Sequence, residues 1–239
     1  MKIIAIGDIH GRGKWREIVS KEPDADKIVF IGNYFDSKED IATVEQIYNF
    51  NEIIEFKKQN IDKVVLLFGN HDFHYLRTST QHYSGFQRWH ISEIGDLIHK
   101  AIDNNYLQMC YIHDKFLFSH AGVTKTWCRN NGIDLDNLQN SINDLFFYKP
   151  NCFQFTPGDV FNHHGDEICQ TPIWVRPNSL LMDKLDGYTQ VVGHTMQPEI
   201  TWCNGVVFID TLGTSGKHLS ILDGGFNVDV IVPHQSLLD

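Results

Sequence analysis

The stretch Val64-Val65-Leu66-Leu67-Phe68-Gly69-Asn70-His71-Asp72 joins an apolar run to an amide, an imidazole and a carboxylate. A run of five apolar residues that ends at a glycine predicts a short buried strand. Polar side chains directly after such a strand lie at the carboxyl edge of an open α/β sheet, where these folds build their sites. The stretch therefore predicts both a sheet and a site at one edge of it.

Two further apolar strands end in the same way. Ile3–Ile6 continues into Gly7-Asp8-Ile9-His10-Gly11, and Ile28–Ile31 continues into Gly32-Asn33-Tyr34-Phe35-Asp36. With helices predicted between the strands, this βαβαβ order predicts a parallel sheet with right-handed crossovers. We therefore expect the three polar strand ends to meet at one edge of the sheet.

The rest of the chain predicts both helices and hairpins. Helices are predicted at 15–19, 40–58, 92–103 and 134–147, and further strands at 108–112, 115–119, 190–192, 200–203 and 206–209. Asn204-Gly205 and Asp223-Gly224 are typical of tight hairpin turns. An α/β fold of two mixed sheets flanked by helices, layered as an α/β/β/α sandwich, accommodates both halves. No repeat or linker divides residues 1–239, so we expect a single domain.

Two segments outside the strands are candidates to shape a site. Residues 73–105 are rich in aromatic residues and histidine, which is consistent with a helical cap over the strand ends or, equally, with helices packed as core. Residues 148–172 contain three prolines and two glycines and predict a long irregular loop of a kind that is often functional. We interpret His163-His164 in that loop as a solvated or hydrogen-bonded pair in preference to a third metal site.

Composition limits the classes of function. The formal charge of -10 argues against a general nucleic-acid backbone binder. Five scattered cysteines without a Cys-x-x-Cys pair are typical of reduced thiols. No apolar run approaches the ~20 residues that span a bilayer. Because the first strand starts at once, without a basic leader, we expect a soluble, cytoplasmic protein with no membrane partner. Nothing in the sequence indicates an oligomeric state.

The polar strand ends make up a candidate metal-ligand set. Later strands add His120 in Ser119-His120-Ala121-Gly122 and His194 in Gly193-His194. Oxygen and imidazole donors without thiolates suit manganese, iron, zinc or magnesium. Two such ions ~3.5–4 Å apart form a clamp for in-line attack on phosphorus. The candidate ligands are Asp8, His10, Asn33, Asp36, Asn70, His71, His120 and His194.

In their order, the blocks that begin at Gly7, Gly32, Gly69, Ser119 and Gly193 resemble those of the calcineurin-like metallophosphoesterases. They are most similar to phosphoprotein phosphatases of the bacterial and phage type and to symmetrical diadenosine tetraphosphate hydrolases. The resemblance implies a hydrolase that uses two divalent metal ions, most often manganese, to activate water for attack on phosphorus. It implies a phosphorylated protein or a nucleotide, including dinucleoside polyphosphates, as substrate.

The resemblance also implies roles for the individual residues. His71 would protonate the leaving oxygen, and Asp36 would orient its ring. Arg176 and Lys38 would contact the phosphate, although Arg176 is equally consistent with a surface arginine on a loop. The metal ligands would be Asp8 and His10 for the first ion, Asn70, His120 and His194 for the second, and Asn33 at the bridging position.

The bridging position departs from the family pattern. The family has an aspartate there, whereas this chain has Asn33, whose amide carries no charge and bridges two dications poorly. We therefore expect a weakened first metal site and low activity. A natural variant and an aspartate exchanged to trap substrate both explain the asparagine, and the intact remaining ligands favour the exchange.

Two further features concern the substrate. Phosphoprotein phosphatases carry an arginine after the aspartate of the second block, but Ser37 follows Asp36 here, and serine cannot bind phosphate bidentately. Lys38 would substitute in part as a point charge. The continuation Phe73-His74-Tyr75-Leu76 resembles the dinucleotide hydrolases and favours a nucleotide, whose base would stack on aromatic residues between Tyr75 and Trp89.

Two other functions are weighed against a hydrolase of this kind. A non-catalytic metal or nucleotide binder is consistent with Asn33. A cyclic-nucleotide phosphodiesterase or nuclease of the same superfamily is disfavoured, because Gly193-His194 is followed by Thr195-Met196 and lacks the second histidine of those branches.

Overall fold

The computed structural model describes residues 1–156, 165–222 and 225–226, which form two mixed sheets flanked by helices. The strands are β1 (Lys2–Ile6), β2 (Lys27–Phe30), β3 (Val64–Leu67), β4 (Leu107–Gln108), β5 (Cys110–His113), β6 (Phe116–Ser119), β7 (Thr189–Val192), β8 (Thr201–Cys203), β9 (Val206–Phe208), β10 (Leu219–Leu222) and β11 (Gly225–Phe226). The α-helices are α1 (Trp15–Lys21), α2 (Thr43–Gln59), α3 (Asn70–Phe73), α4 (Ile91–Asp103), α5 (Lys125–Asn131), α6 (Leu138–Tyr148) and α7 (Pro177–Asp183). Short 3-10 helices lie at Arg88–His90 and Pro150–Phe153.

The first sheet has the strand order β11-β10-β1-β2-β3-β4. Strands β1 to β4 run parallel, and β10 is antiparallel to β1. The parallel register, with Ile6 opposite Phe30 and Phe30 opposite Leu66, brings the ends of β1, β2 and β3 to one edge. The predicted parallel βαβαβ opening is therefore confirmed.

The second sheet has the strand order β5-β6-β7-β9-β8. Its central strands β6, β7 and β9 are parallel to one another, and β5 and β8 are antiparallel edge strands. The ends of β6 and β7, which carry His120 and His194, are therefore neighbours as well.

The two sheets pack face to face over an apolar core. In β1, Ile3 and Ala5 belong to the cluster between the sheets, together with Phe118 and Val191 of the second sheet. Ile4 and Ile6 point the other way, into the cluster shared with α1 and α2. Strands buried on both faces are continuous apolar runs, which explains the strand sequences. The α/β/β/α layering predicted from the sequence is confirmed.

The strand predicted at 108–112 is divided between the two sheets. Leu107–Gln108 pairs with β3 in the first sheet, whereas Cys110–His113 pairs with β6 in the second. The chain changes sheets at Met109, which is fully buried. Because strands of both sheets require the same apolar residues, the sequence shows one continuous apolar run across the point where the chain passes from the first sheet to the second.

The start of one predicted helix needs correction, and helices α5 and α7 were not predicted. The helix predicted from residue 134 begins at Leu138, because Asp134 Oδ1 accepts a hydrogen bond from Asp136 N (3.0 Å) and forms a local turn instead. Helix α7 was not predicted, although its first residue is Pro177, and proline is favoured at that position of a helix.

The predicted cap and loop segments are described in part. In 73–105, Ile94 and Ile98 of α4 pack into the core, and the only other helical residues are the end of α3 and Arg88–His90. In 148–172, the described part contains the 3-10 helix, whereas His163-His164 lies outside the described residues. The cap and the single-domain organisation stay predictions. None of the helices in the described ranges is long and apolar enough to span a membrane.

The change of sheets at Met109 yields a stability prediction. Asn143 Oδ1 accepts hydrogen bonds from Met109 N (2.9 Å) and Cys110 N (3.1 Å), and its Nδ2 donates to Cys110 O (3.1 Å). We expect Asn143→Ala to lower the free energy of unfolding by about 2–4 kcal/mol, because three main-chain groups lose their partner. Urea unfolding measures this loss. Asn140→Ala, on the same helix but bonded only to the exposed Asn137 side chain, is the control, and equal losses in both variants would contradict the assignment.

Candidate active site

The carboxyl edges of both sheets meet at one place. The loops after β1 and β2 supply Asp8 and Asn33, the start of α3 after β3 supplies Asn70, and the loops after β6 and β7 supply His120 and His194. Glycines precede several of these residues because the space is occupied: a Cβ at Gly69 would collide with Asn33 Oδ1, and one at Gly193 with Asp8 Oδ1. Close packing of the loops thus accounts for the recurring glycine.

Several of the predicted site residues have strained backbone conformations. His10, Asn33, Asp36 and His194 have φ values of +44°, +53°, +62° and +64°. The left-handed region is uncommon for residues other than glycine, and such residues cluster at functional sites. The loops therefore hold these side chains in orientations that an extended strand end would not give.

In each of three histidines, one ring nitrogen donates a hydrogen bond to a main-chain carbonyl oxygen. His10 Nδ1 donates to Phe35 O (2.7 Å) and His120 Nδ1 donates to Ile31 O (2.9 Å). His194 Nε2 donates to Trp174 O (3.2 Å). The hydrogen bond fixes the tautomer, so the other ring nitrogen of each histidine carries a lone pair.

These lone pairs face other acceptors. His120 Nε2 lies 3.0 Å from Asn70 Oδ1, and His194 Nδ1 lies 3.2 Å from the same oxygen. Asp8 Oδ2 lies 3.8 Å from His10 Nε2 and 4.0 Å from His120 Nε2. Ligand atoms about 2.0–2.2 Å from one metal ion are about 3–4 Å apart. The donor set therefore fits divalent metal ions.

The charge states agree with this interpretation. Burial lowers the pKa of His10 to about 3, with a further contribution from His71, and burial lowers the pKa of His120 to about 3. Burial, followed by the charge of Arg176, holds the pKa of His194 well below its ordinary value. Neutral imidazoles are the form that binds metals. Burial raises the pKa of Asp8 to about 7, which shows how poorly this carboxylate is solvated.

Asn33 is the exception in this set of acceptors. Its Nδ2 donates to Asp8 Oδ2 (2.9 Å), and its Oδ1 accepts from His71 N (2.9 Å). Rotating the amide to turn its oxygen towards Asp8 would set the NH₂ group against the N–H of His71. The hydrogen bonds thus favour the orientation in which Asn33 presents a donor to the metal-type ligand Asp8.

Asp36 connects several side chains behind His71. His71 Nδ1 donates to Asp36 Oδ2 (2.9 Å), Tyr75 Oη donates to Asp36 Oδ1 (2.5 Å), and His74 Nε2 lies 2.6 Å from Asp36 Oδ2. Asp36, His71 and His74 are a buried group of metal-binding type. Because the contacts among them and the hydrogen bond from Tyr75 occupy the Nδ1 of His71 and both oxygens of Asp36, we interpret this group as one that orients the ring of His71.

The strand ends open into a cavity of about 360 Å³. Arg176 and Lys38 both line it. Arg176 Nη1 donates to Thr195 Oγ1 (3.1 Å) and to His194 O (3.4 Å), so this arginine is attached to the site instead of lying free on the surface. Of the residues predicted for the site, those that line the cavity are His10, Asn33, Lys38, Asn70, His71, Arg176 and His194.

Several cavity residues were missed by the sequence analysis. They are Arg12, Ser84, Trp174, Met196 and Asp210. Asp210 ends the apolar segment of β9, so the strand-end pattern that identified Asp8 would also have identified it. Burial, followed by the charge of Asp8, raises the pKa of Asp210 to about 8.

The sequence profile of the calcineurin-like phosphoesterases matches residues 1–198, and the chain belongs to this family. Its fold is similar to a protein serine/threonine phosphatase from Saccharomyces cerevisiae with similarity to human phosphatase PP5, at 14% identity and a TM-score of 0.58, over 96% of this chain and 77% of that chain. A metallophosphoesterase from Sphaerobacter thermophilus (14% identity, TM-score 0.40, 81% and 60% of the two chains) and the E. coli phosphoesterase YfcE (14%, 0.36, 93% and 89%) also align. No curated protein sequence matches the chain.

Asp72 yields a test of how the site is assembled. Its Oδ2 accepts from Asn33 N (2.8 Å) and Gly69 N (2.9 Å), and its Oδ1 accepts from Tyr34 N (2.7 Å). We expect Asp72→Ala to lower the free energy of unfolding by about 3 kcal/mol or more, because it leaves three buried N–H groups without an acceptor.

Urea unfolding is the measurement, and Asp96→Ala is the control. Asp96 is 70% exposed in its side chain and pairs only with the exposed Arg77, an interaction of little worth. A loss at Asp72 no larger than the loss at Asp96 would show that the buried amides find other partners.

Proposed function

We propose that this protein is a phosphoester hydrolase that uses two divalent metal ions, and that these ions are manganese. The observation that carries the proposal is the convergence of unprotonated acceptors: Asn70 Oδ1 faces His120 Nε2 and His194 Nδ1 at 3.0 and 3.2 Å. In this orientation the three acceptors repel one another and attract a cation, as the ligands of a metal site do. Family membership supports the same reading.

Two metal positions follow from the donor set. Asp8 and His10 would hold one ion, with position 33 between the two. Asn70, His120 and His194 would hold the other. When bound, a pair of such ions lowers the pKa of water and neutralises the charge on phosphoryl oxygens.

His71 is proposed to supply the proton to the leaving oxygen. Its Nδ1 is held by Asp36, so its Nε2 is left for the cavity that His71 lines. Burial alone would raise the pKa of Asp36, but the hydrogen bond from His71 and the close approach of His74 outweigh burial and lower it. The resulting carboxylate accepts from Nδ1 and fixes the tautomer and orientation of the His71 ring.

Arg176 and Lys38 are proposed to hold the phosphate. Both are cationic and line the cavity beside His71. Of the aromatic residues considered for base stacking, Tyr83 lines the cavity and packs against Trp174 at a centroid distance of 4.3 Å, whereas Trp89 is 93% exposed elsewhere. Tyr83 supports a nucleotide or dinucleoside polyphosphate as substrate, alongside phosphorylated protein.

A second function, metal or nucleotide binding without turnover, is favoured by one observation. Asn33 presents an N–H to Asp8, so the first metal position meets a donor where the family has an acceptor. We propose that this amide reduces the affinity of the first site and the rate of hydrolysis.

We expect Asn33→Asp to have opposite effects with and without metal. Without metal, a carboxylate oxygen facing Asp8 Oδ2 lowers the melting temperature by about 2–8 °C. With saturating Mn²⁺, the variant gains more in melting temperature than the chain with Asn33, and it hydrolyses p-nitrophenyl phosphate at least about 10-fold faster. Comparing phosphopeptide with diadenosine tetraphosphate then separates the substrate classes.

Asn140→Asp, on the exposed side of α6, makes the same change of charge away from the site and is the control. If the Asn33→Asp variant binds Mn²⁺ but hydrolyses no phosphoester, the hydrolase proposal fails and the binding protein is the better description.

We expect His71→Gln, in the Asn33→Asp background, to lower kcat by about 10²–10⁴-fold on a phosphoserine peptide. The loss is expected to be smaller on p-nitrophenyl phosphate, because p-nitrophenolate leaves without a proton. Asp36→Asn should give the same substrate pattern with a loss of about 10–100-fold. His90→Gln, which removes a histidine paired with Glu93 outside the cavity, is the control. Equal losses on both substrates would rule out proton donation by His71.

A further inference from the structure

Arg12 is a cavity residue to which neither the fold nor the proposed metal sites assign a role. It directly follows Gly11, is only 9% exposed, and lines the cavity of about 360 Å³ together with His10 and His71. A guanidinium remains charged in proteins, so its removal from water requires compensation by acceptors. The question is which acceptors face it.

The protein fixes the guanidinium from three sides. Nε donates to Glu39 Oε1 (2.7 Å), in the loop after β2. Nη1 lies within reach of the main-chain oxygen of Asp8, at 3.4 Å, in the loop after β1. A Cβ at Gly213 would lie 2.7 Å from Nη2, so the guanidinium fits here because residue 213 has no side chain.

These contacts leave most of the donors unused. Arginine has five N–H donors in a planar fork, and the described residues accept from Nε and, at long range, from Nη1. No acceptor for Nη2 lies among the residues that the structure describes. The fork is held in place by its Nε while its Nη atoms retain donors, as a bidentate anion site requires.

The surroundings favour an anion with several oxygens. Lys38 and Arg176 are the other cations that line the cavity in the described part of the chain, and Asp210 is the acid among them. Ser37, next to Asp36, contributes no charge to this edge. Phosphate presents paired oxygens that match a guanidinium fork, whereas a lysine offers only a point charge.

We propose that Arg12 binds the phosphoryl group of the substrate, donating from its Nη atoms to the non-bridging oxygens, and that Glu39 positions its guanidinium for this contact. The assignment rests on the proposed function in that the bound phosphoryl group is the one to be hydrolysed. Its chemistry, recognition of a phosphate dianion, is measured without turnover.

The test is the affinity for inorganic phosphate, measured by calorimetry on the Mn²⁺-loaded full chain, both with Asn33 and with the Asn33→Asp substitution. Arg12→Gln is expected to weaken phosphate binding by about 10–100-fold, since hydrogen bonds to a charged group are lost. Arg12→Lys should fall between the two, because it keeps the charge without the fork. The affinity for Mn²⁺ should change by less than about twofold.

Arg16→Gln is the matched control. Arg16 lies four residues further on, and its guanidinium bonds to Asn49 and Glu52 outside the cavity. If Arg12→Gln does not fold, Arg12→Lys and Glu39→Gln carry the test, both with weaker phosphate binding expected. Unchanged phosphate affinity, or an equal loss of Mn²⁺ affinity, would overturn the proposal and leave Arg12 as a structural clamp between loops.

Kinetics separate this proposal from the hydrolase itself. In the Asn33→Asp background, Arg12→Gln should raise KM by about the factor by which phosphate binding falls. If the enzyme turns over but neither KM nor phosphate affinity changes in Arg12→Gln, the role of Arg12 is contradicted and the proposed hydrolase is not. If phosphate binding depends on Arg12 but no phosphoester is hydrolysed, the proposed function is contradicted and the phosphate site at Arg12 is supported.

Discussion

One buried carboxylate, that of Asp72, holds the edge of the first sheet together. It accepts hydrogen bonds from the main-chain N–H groups of Asn33, Tyr34 and Gly69, and so joins the loop after β2 to the loop after β3. Because Asn33 and the first turn of α3 are set by this junction, the positions of Asn70 and His71 depend on it as well. The chemistry of the site thus begins with a residue that does not line the cavity.

Much of this arrangement follows from the sequence, because a parallel sheet brings polar strand ends to one edge wherever the apolar runs fix the strands. Val64–Leu67 and its neighbours are continuous apolar runs, and their order permits few topologies. The change of sheets at Met109 has no such signal, since both sheets use the same residue types. Arg12 could not be placed either, because Glu39 and Gly213 reach it only after distant loops have come together.

The site differs from an ordinary polar cleft in how its hydrogen-bonding groups are distributed. Around Asp8 and Asn70 the protein gathers oxygen and nitrogen acceptors, while the donors of the same rings point outward. Burial works in the same direction, since it holds the imidazoles neutral and leaves the carboxylates poorly solvated. Asn33 places a side-chain donor among these acceptors, where its Nδ2 faces Asp8 Oδ2.

The partners of His10, His120 and His194 are main-chain oxygens, those of Phe35, Ile31 and Trp174. A replaced side chain at any of these positions retains its carbonyl group. Substitutions at Phe35, Ile31 or Trp174 therefore leave the hydrogen bonds that orient these three rings in place. The ring of His71 differs, because its partner is the side chain of Asp36. A point substitution can therefore remove the partner that orients the ring of His71, whereas the rings of His10, His120 and His194 keep their main-chain partners.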